Sequence, residues 1–341
     1  MSRAALRALP LLVLLGGAVA FLNERRQERP VGCPDQTRLV CTGLYEGGVP
    51  GARLAPDVEE YEPGFRLWSD GLEKKRFVSL PPGAAIDTSD MDEWSFPVGT
   101  KFWKEFRWRG KRVETRYLEK RAPGDWRRTT FVWNDDGSDS REEKLGRTIV
   151  LPGAAHPYDI PAEQDCGRCH GGRRDNVLGF EALALADSAA RGVTLSRLER
   201  DGRLTRPPFP PPLAPGAPLE RAALGWLHMN CGVSCHNASP SAGASFVGLD
   251  LKLGATERGD SMQTAIVRTT VNQPTTVLRL RDASAPKVRI VPGHPEESAI
   301  YMRAHSRAPT LAMPPLATHA IDEDDMATLA RWIVALRGGR P

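Results

Sequence analysis

Phe102-Trp103-Lys104-Glu105-Phe106-Arg107-Trp108-Arg109-Gly110-Lys111-Arg112-Val113-Glu114-Thr115-Arg116-Tyr117 is the stretch that decides the fold of the N-terminal half. It is rich in aromatic and β-branched residues and alternates in part with a period of two. Arg109-Gly110-Lys111 stands where a hairpin turn would join two strands. The same partial alternation returns from Arg127 to Trp133. Working outward, turn signals at Pro81-Pro82-Gly83, Pro123-Gly124-Asp125 and Asp135-Asp136-Gly137 cut residues 39–160 into short segments of strand character. Six of the eight tryptophans lie here, at strand spacings that suit a packed core better than cofactor contacts. Residues 33–160 therefore read as an antiparallel β domain. The acidic turn 135–139 lacks the ligand spacing of an EF-hand loop and reads as a solvated hairpin tip.

Beyond this region two stretches each set a pair of cysteines before a histidine: Cys166-Gly167-Arg168-Cys169-His170 and Cys231-Gly232-Val233-Ser234-Cys235-His236. Two thiols followed at once by an imidazole suit covalent haem attachment, the thiols forming thioethers and the histidine ligating the iron. Two signatures imply two c-type haems. The second spacer is one residue longer, an excess that a bulge at Gly232 would absorb. A zinc site or a redox dithiol is the competing reading, and for zinc at the second signature His228 is the obvious further ligand. Between His170 and His228 there is no histidine or methionine, so the segment 161–206 cannot furnish its own usual sixth ligand. His156, His228 and Met229 are the weaker candidates for that position.

The remaining cysteines, Cys33 and Cys41, are close enough in sequence to close a short disulfide loop, as in an oxidising compartment. Arg3 and Arg7 precede an apolar run over residues 8–22 that ends near Ala18-Val19-Ala20. Residues 1–22 read as a signal peptide or, if uncleaved, an N-terminal membrane anchor. The expected location is the bacterial periplasm or another exported site. Net charge is only +4, with charges interspersed along the chain, so nothing points to nucleic acid. Hydrolytic triad, phosphate-loop and dinucleotide signatures are absent from the sequence.

A proline-rich connector at 207–218 separates the first haem-binding segment, 161–206, from a region over 219–341. In that last region Leu219 to Met229 has helical spacing, and a middle part follows with strand character at Phe246 to Leu253 and Val277 to Leu280. Met313-Pro314-Pro315 comes next. Asp322 then caps an amphipathic helix whose inward face is Met326, Leu329, Trp332, Ile333 and Leu336. This order of helix, haem signature, variable middle, methionine loop and terminal helix resembles class I cytochrome c. The resemblance implies a mainly α-helical domain, with His236 the proximal and Met313 the distal iron ligand. Gly225 and Trp332 would be the small and large partners of a helix crossing. Met262, Met302, His294 and His305 compete with Met313.

The combination of Leu67-Trp68-Ser69-Asp70-Gly71, Lys74-Lys75-Arg76-Phe77-Val78, Leu80-Pro81-Pro82-Gly83, Phe96-Pro97-Val98-Gly99-Thr100, Val132-Trp133-Asn134-Asp135 and Leu178-Gly179-Phe180-Glu181 resembles exported bacterial dihaem c-type cytochromes with a β-rich N-terminal part. The expected fold class is thus α+β multidomain, an antiparallel β domain followed by a mainly α-helical cytochrome c-like domain. The expected function is electron transfer between redox partner proteins. A dihaem peroxidase-like enzyme with one open iron is the alternative, with Glu163 and Asp165 as nominal acid/base residues. A third reading is a haem-bearing sensor whose β domain binds a partner or glycan.

Overall fold

Hairpin chemistry builds the centre of the molecule. The structure, a computed structural model, describes Cys33 and residues 35–275 and 286–336. The leader at 1–22 and the strand expected from Val277 to Leu280 lie outside the described residues. Strand β1 (Glu59–Glu62) is followed by β2 (Glu73–Ser79), β3 (Lys101–Trp108), β4 (Lys111–Ala122), β5 (Asp125–Trp133) and β6 (Ser140–Glu143). These pair antiparallel with their sequence neighbours. The β3–β4 turn falls at Arg109 and Gly110, both at positive φ (48° and 78°), the twist that a two-residue hairpin requires. Strands β7 (Arg147–Ile149) and β8 (Tyr158–Ile160) form a separate pair, and β9 (Arg191–Gly192) closes the large sheet beside β1. The seven-stranded order is β6-β5-β4-β3-β2-β1-β9.

Alternation gives each face its own core. On one face Phe77, Trp103, Tyr117, Phe131 and Trp133 pack with Leu39, Leu44, Tyr45 and Val58 from the preceding chain. That preceding segment is tied by a Cys33–Cys41 disulfide, the pairing expected from the sequence. On the other face Phe102 and Leu118 join a cluster with Phe180, Leu185 and Leu198, while Phe106 and Val132 join Leu151, Tyr158 and Ile160. This second face is the one that the haem-type signatures cover.

The helices are short. They are α1 (Cys166–His170), α2 (Ala182–Ala186), α3 (Leu195–Arg200), α4 (Pro218–Leu227), α5 (Ala265–Thr270), α6 (Ala299–Ala304) and α7 (Glu323–Ala335). Proline opens α4, where the Glu220 carboxylate accepts the Ala217 N–H at 2.7 Å. Asp322 caps α7 by accepting the Asp325 N–H, and Met326, Leu329, Trp332 and Ile333 are buried as their spacing predicts.

The expected α+β multidomain fold with a mainly α-helical cytochrome c-like domain is not what forms. The molecule is dominated by the seven-stranded antiparallel sheet, and helix is a minority within 219–336. Between α4 and α7 the chain is interrupted repeatedly by proline, glycine and short polar runs, and among the described residues there the α-helices are the six-residue α5 and α6. Nor does this part bury its apolar surface alone. Its core continues into Phe65, Leu178, Leu183 and Ala184 from earlier in the chain. Segment 161–206 likewise supplies β9 to the sheet. Helix α4 does pack on α7, but Gly225 makes room for the Phe65 ring, which a Cβ at that position would overlap, rather than serving as the small partner of Trp332. The strand expected from Phe246 to Leu253 is instead a 3-10 turn at Ser245–Val247 and irregular chain.

Candidate functional site

The first signature is itself a one-turn helix, α1, that ends on His170. The His170 ring Nδ1 lies 2.5 Å from the Asn176 main-chain oxygen. A carbonyl only accepts, so Nδ1 carries the proton and the lone pair is left on Nε2. Burial and the nearby Lys104 ammonium lower the His170 pKa to about 3, which keeps the imidazole neutral. Asn176 reaches this position through a left-handed backbone (φ 61°), a conformation asparagine tolerates, and its side-chain oxygen accepts from Arg128 Nη1 at 2.9 Å. One residue thus orients the histidine and anchors a cation. Cys166 is half-buried with its thiol pKa raised by burial, and Cys169 is exposed.

Between α1 and the second sheet face lies a cavity of about 580 Å³, within the range of roughly 300–1,000 Å³ typical of ligand sites. Cys166, Cys169 and His170 line one wall, Lys104 and Arg116 the sheet wall, and Tyr158 with the loop around Leu316 the remainder. His170 is the only histidine among the lining residues, and no methionine lines it.

In the second signature the additional residue is taken up by wide turns. The Val233 N–H donates to the His228 oxygen and the His236 N–H to the Cys231 oxygen, each at 2.9 Å and five residues apart. Gly232 is required here for close approach, since a Cβ would overlap the Leu251 carbonyl. Cys231 packs against the C-terminal core, and burial pushes its thiol up to about 12. Burial also raises Cys235 to about 11, with a contribution from Cys169. His236 keeps a buried Nδ1 without a hydrogen-bond partner, and burial, then Arg303 and Arg289, lower its pKa to about 4. Half-buried Met313 donates its N–H to the Arg303 oxygen at 3.0 Å.

The two signatures touch. A Cβ on Gly172 would overlap the Ser234 carbonyl oxygen, and Cys235 lines the same cavity as Cys166 and Cys169. Nothing local in the sequence indicates this contact, because the signatures lie more than sixty residues apart.

Other candidates resolve differently. His228 is fully buried, its Nδ1 accepting the Leu253 N–H at 2.9 Å and its Nε2 lying 3.4 Å from the Glu181 carboxylate. Only Nδ1 is hydrogen-bonded, Nε2 being buried without a hydrogen-bond partner, and His228 is not among the residues that line the cavity. Neighbouring Met229 is in the core. His156 is exposed between β7 and β8 and does not line the cavity. His294 faces Glu296 and Glu297 at the surface, and His305 stacks on Tyr301. Met262 packs partly against the core. Asp165 lines the cavity but pairs with Arg168 at 3.6 Å, and Glu163 is exposed.

Residues that sequence reasoning passed over are Asn176, Lys104, Arg116, Arg128 and the His319–Asp159 pair, joined at 2.7 Å beside the cavity loop. Lys104 and Arg116 carried a signal. They interrupt the apolar positions Phe102, Phe106 and Leu118 on an inward face, where a charge needs a reason. No family model matches this chain, and no curated protein or solved structure matches it either.

Proposed function

We propose that this chain is an exported protein carrying two c-type haems, held by Cys166, Cys169 and His170 and by Cys231, Cys235 and His236, which passes electrons between redox partner proteins. The observation that carries the reading is the hydrogen bond from His170 Nδ1 to the Asn176 carbonyl. It fixes the tautomer and ring direction as protein groups do for ligating histidines, and the free Nε2 belongs to a side chain bordering a cofactor-sized cavity lined by both thiols. The orphaned Nδ1 of His236 and the two half-buried thiols of its signature fit a second attachment site. Haem supplies the one-electron chemistry, and the protein sets its potential, spacing and access. Contact between Gly172 and Ser234 brings the two sites together, as transfer between two centres requires. Met313 is the proposed distal ligand for the second iron.

The zinc reading is weaker, because the His228 ring accepts the Leu253 N–H at Nδ1 and turns Nε2 toward Glu181. Among the described residues the only convergence of three or more histidine, cysteine or carboxylate ligands is the surface group His294, Glu296 and Glu297. One observation favours a second reading for the first site: its cavity lining offers no other histidine or methionine, which suits an iron position open to a small ligand such as peroxide. The Cys33–Cys41 disulfide agrees with export. No helix among the described residues is long and apolar enough to cross a membrane.

Intact mass with a pyridine haemochrome spectrum, on protein made with c-type maturation machinery, tests this directly. Two haems per chain are expected, and a chain without covalent haem would overturn the reading. Carbon monoxide and peroxide difference spectra then separate a carrier from a ligand-binding enzyme.

A further inference from the structure

The wall of the cavity opposite α1 is built from cations in register. Arg76 on β2 stands directly across from Lys104 on β3, and Lys104 directly across from Arg116 on β4. All three lie on the inward face between the apolar clusters at Phe102/Leu118 and Phe106/Val132. Lys104 and Arg116 line the cavity together with Lys74 and Arg128, which flank the row, whereas Arg76 is buried and is not among the lining residues. Like charges directly opposite on one sheet face are destabilising, and burial sharpens the cost.

Partners for this charge are few. Arg116 pairs with Glu114 at 2.6 Å and Arg128 binds the Asn176 amide oxygen. Among the described residues Lys104 Nζ hydrogen-bonds to the Leu178 carbonyl oxygen at 3.4 Å and Lys74 to that of Leu67, with Asp322 the acidic group whose charge acts on Lys74. Arg76 is buried with an unpartnered Nε. The acidic groups lining the cavity are taken, Asp165 by Arg168 and Asp159 by His319 and Thr148. The lysines register the strain: burial first and then the neighbouring arginines lower Lys104 to about 7 and Lys74 well below its usual value.

We propose that Lys104 and Arg116, with Arg128 beside them, form an anion site that receives the carboxylate groups of the molecule occupying the cavity. On the reading above, which this inference extends, these are the two propionates of the haem attached at Cys166 and Cys169. A carboxylate set on this wall supplies the missing counter-charge and fixes the edge of the ring opposite the thioether bonds.

The test uses wild-type protein and the variants Lys104→Met, Lys104→Arg, Arg128→Met and Lys75→Met. The last is a control at an exposed position whose side chain lies on the opposite face, where Lys75 pairs loosely with Glu60 at 3.8 Å. Haem mass is read first. With haem present at the first signature, spectroelectrochemistry should show the midpoint potential of one haem shifted downward in Lys104→Met and in Arg128→Met. An unneutralised propionate favours the ferric state. Lys104→Arg and Lys75→Met should leave both potentials in place. Unchanged potentials in both neutralised variants would overturn the site, and Arg128→Met serves if Lys104→Met does not fold. If no haem is attached, the cofactor reading fails and thermal unfolding with added succinate decides the site alone. A rise in midpoint that Lys104→Met abolishes upholds an anion site for a free dicarboxylate, and no rise in wild type removes it.

Discussion

The Nδ1 of His170 is held 2.5 Å from the main-chain oxygen of Asn176, and that oxygen is where it is because Asn176 is left-handed at φ 61°. The backbone conformation is therefore the device, and the side chain only permits it. Asn176→Gly should be tolerated at the cost of the Arg128 contact, whereas Asn176→Val, β-branched at positive φ, should lose about 1–2 kcal/mol more. Urea midpoints of the two variants check this, and equal midpoints would mean that the strain lies elsewhere.

Gly172 and the Ser234 carbonyl bring the two signatures together. Gly172→Ala must push one segment off the other and should cost about 1–3 kcal/mol as an overpacked contact. Gly167→Ala, in α1 with open space around its Cβ position, should be neutral within about 0.5 kcal/mol. Thermal melts give the stabilities. On protein carrying both proposed haems, electrochemistry should show altered coupling between their potentials in Gly172→Ala alone.

His228→Gln separates a structural histidine from a ligand. Its ring accepts from the Leu253 N–H and faces Glu181, so replacement leaves buried polar groups unpaired, at a cost of about 1–3 kcal/mol. Covalent haem content and absorption maxima should be those of wild type. A spectral change without a stability loss would return His228 to the candidate ligands.

How much of this was legible in the sequence differs by element. The hairpin at Arg109 and Gly110 and the cap at Asp322 were readable because both depend on local chemistry: a turn needing positive φ and a carboxylate meeting exposed N–H groups. The C-terminal part was misread because its fold depends on partners distant in sequence. Gly225 looked like a helix-crossing residue, and only tertiary packing shows that Phe65 fills the space beside it. His228 offers the same lesson, since nothing near it in sequence reveals Leu253 or Glu181. The cation row at Lys104 and Arg116 stood in plain view as charges on an apolar face, yet its significance required the register that sets them opposite each other.

Glu181 gives the fold a defined sensitivity to acid. It is buried, caps α2 by accepting the Ala184 N–H at 2.8 Å, and faces His228 and Arg173. Burial alone would raise its pKa. His228, then Arg173 and the Ala184 N–H, outweigh burial and bring it down to about 2 from an ordinary 4.5. Below pH 4.5 the unfolded chain takes up this proton more readily than the folded one. The stabilisation is therefore complete above about pH 4.5 and fades as pH falls toward 2, by about 3 kcal/mol in all. Glu181→Gln should be less stable at pH 7, and the gap between the two proteins should close on acidification across that window. Denaturation series at pH 7, 4 and 3 read the gap directly. A constant difference at all three would place the stabilising charge on another residue, and a difference that grew toward acid would reverse the sign of the coupling.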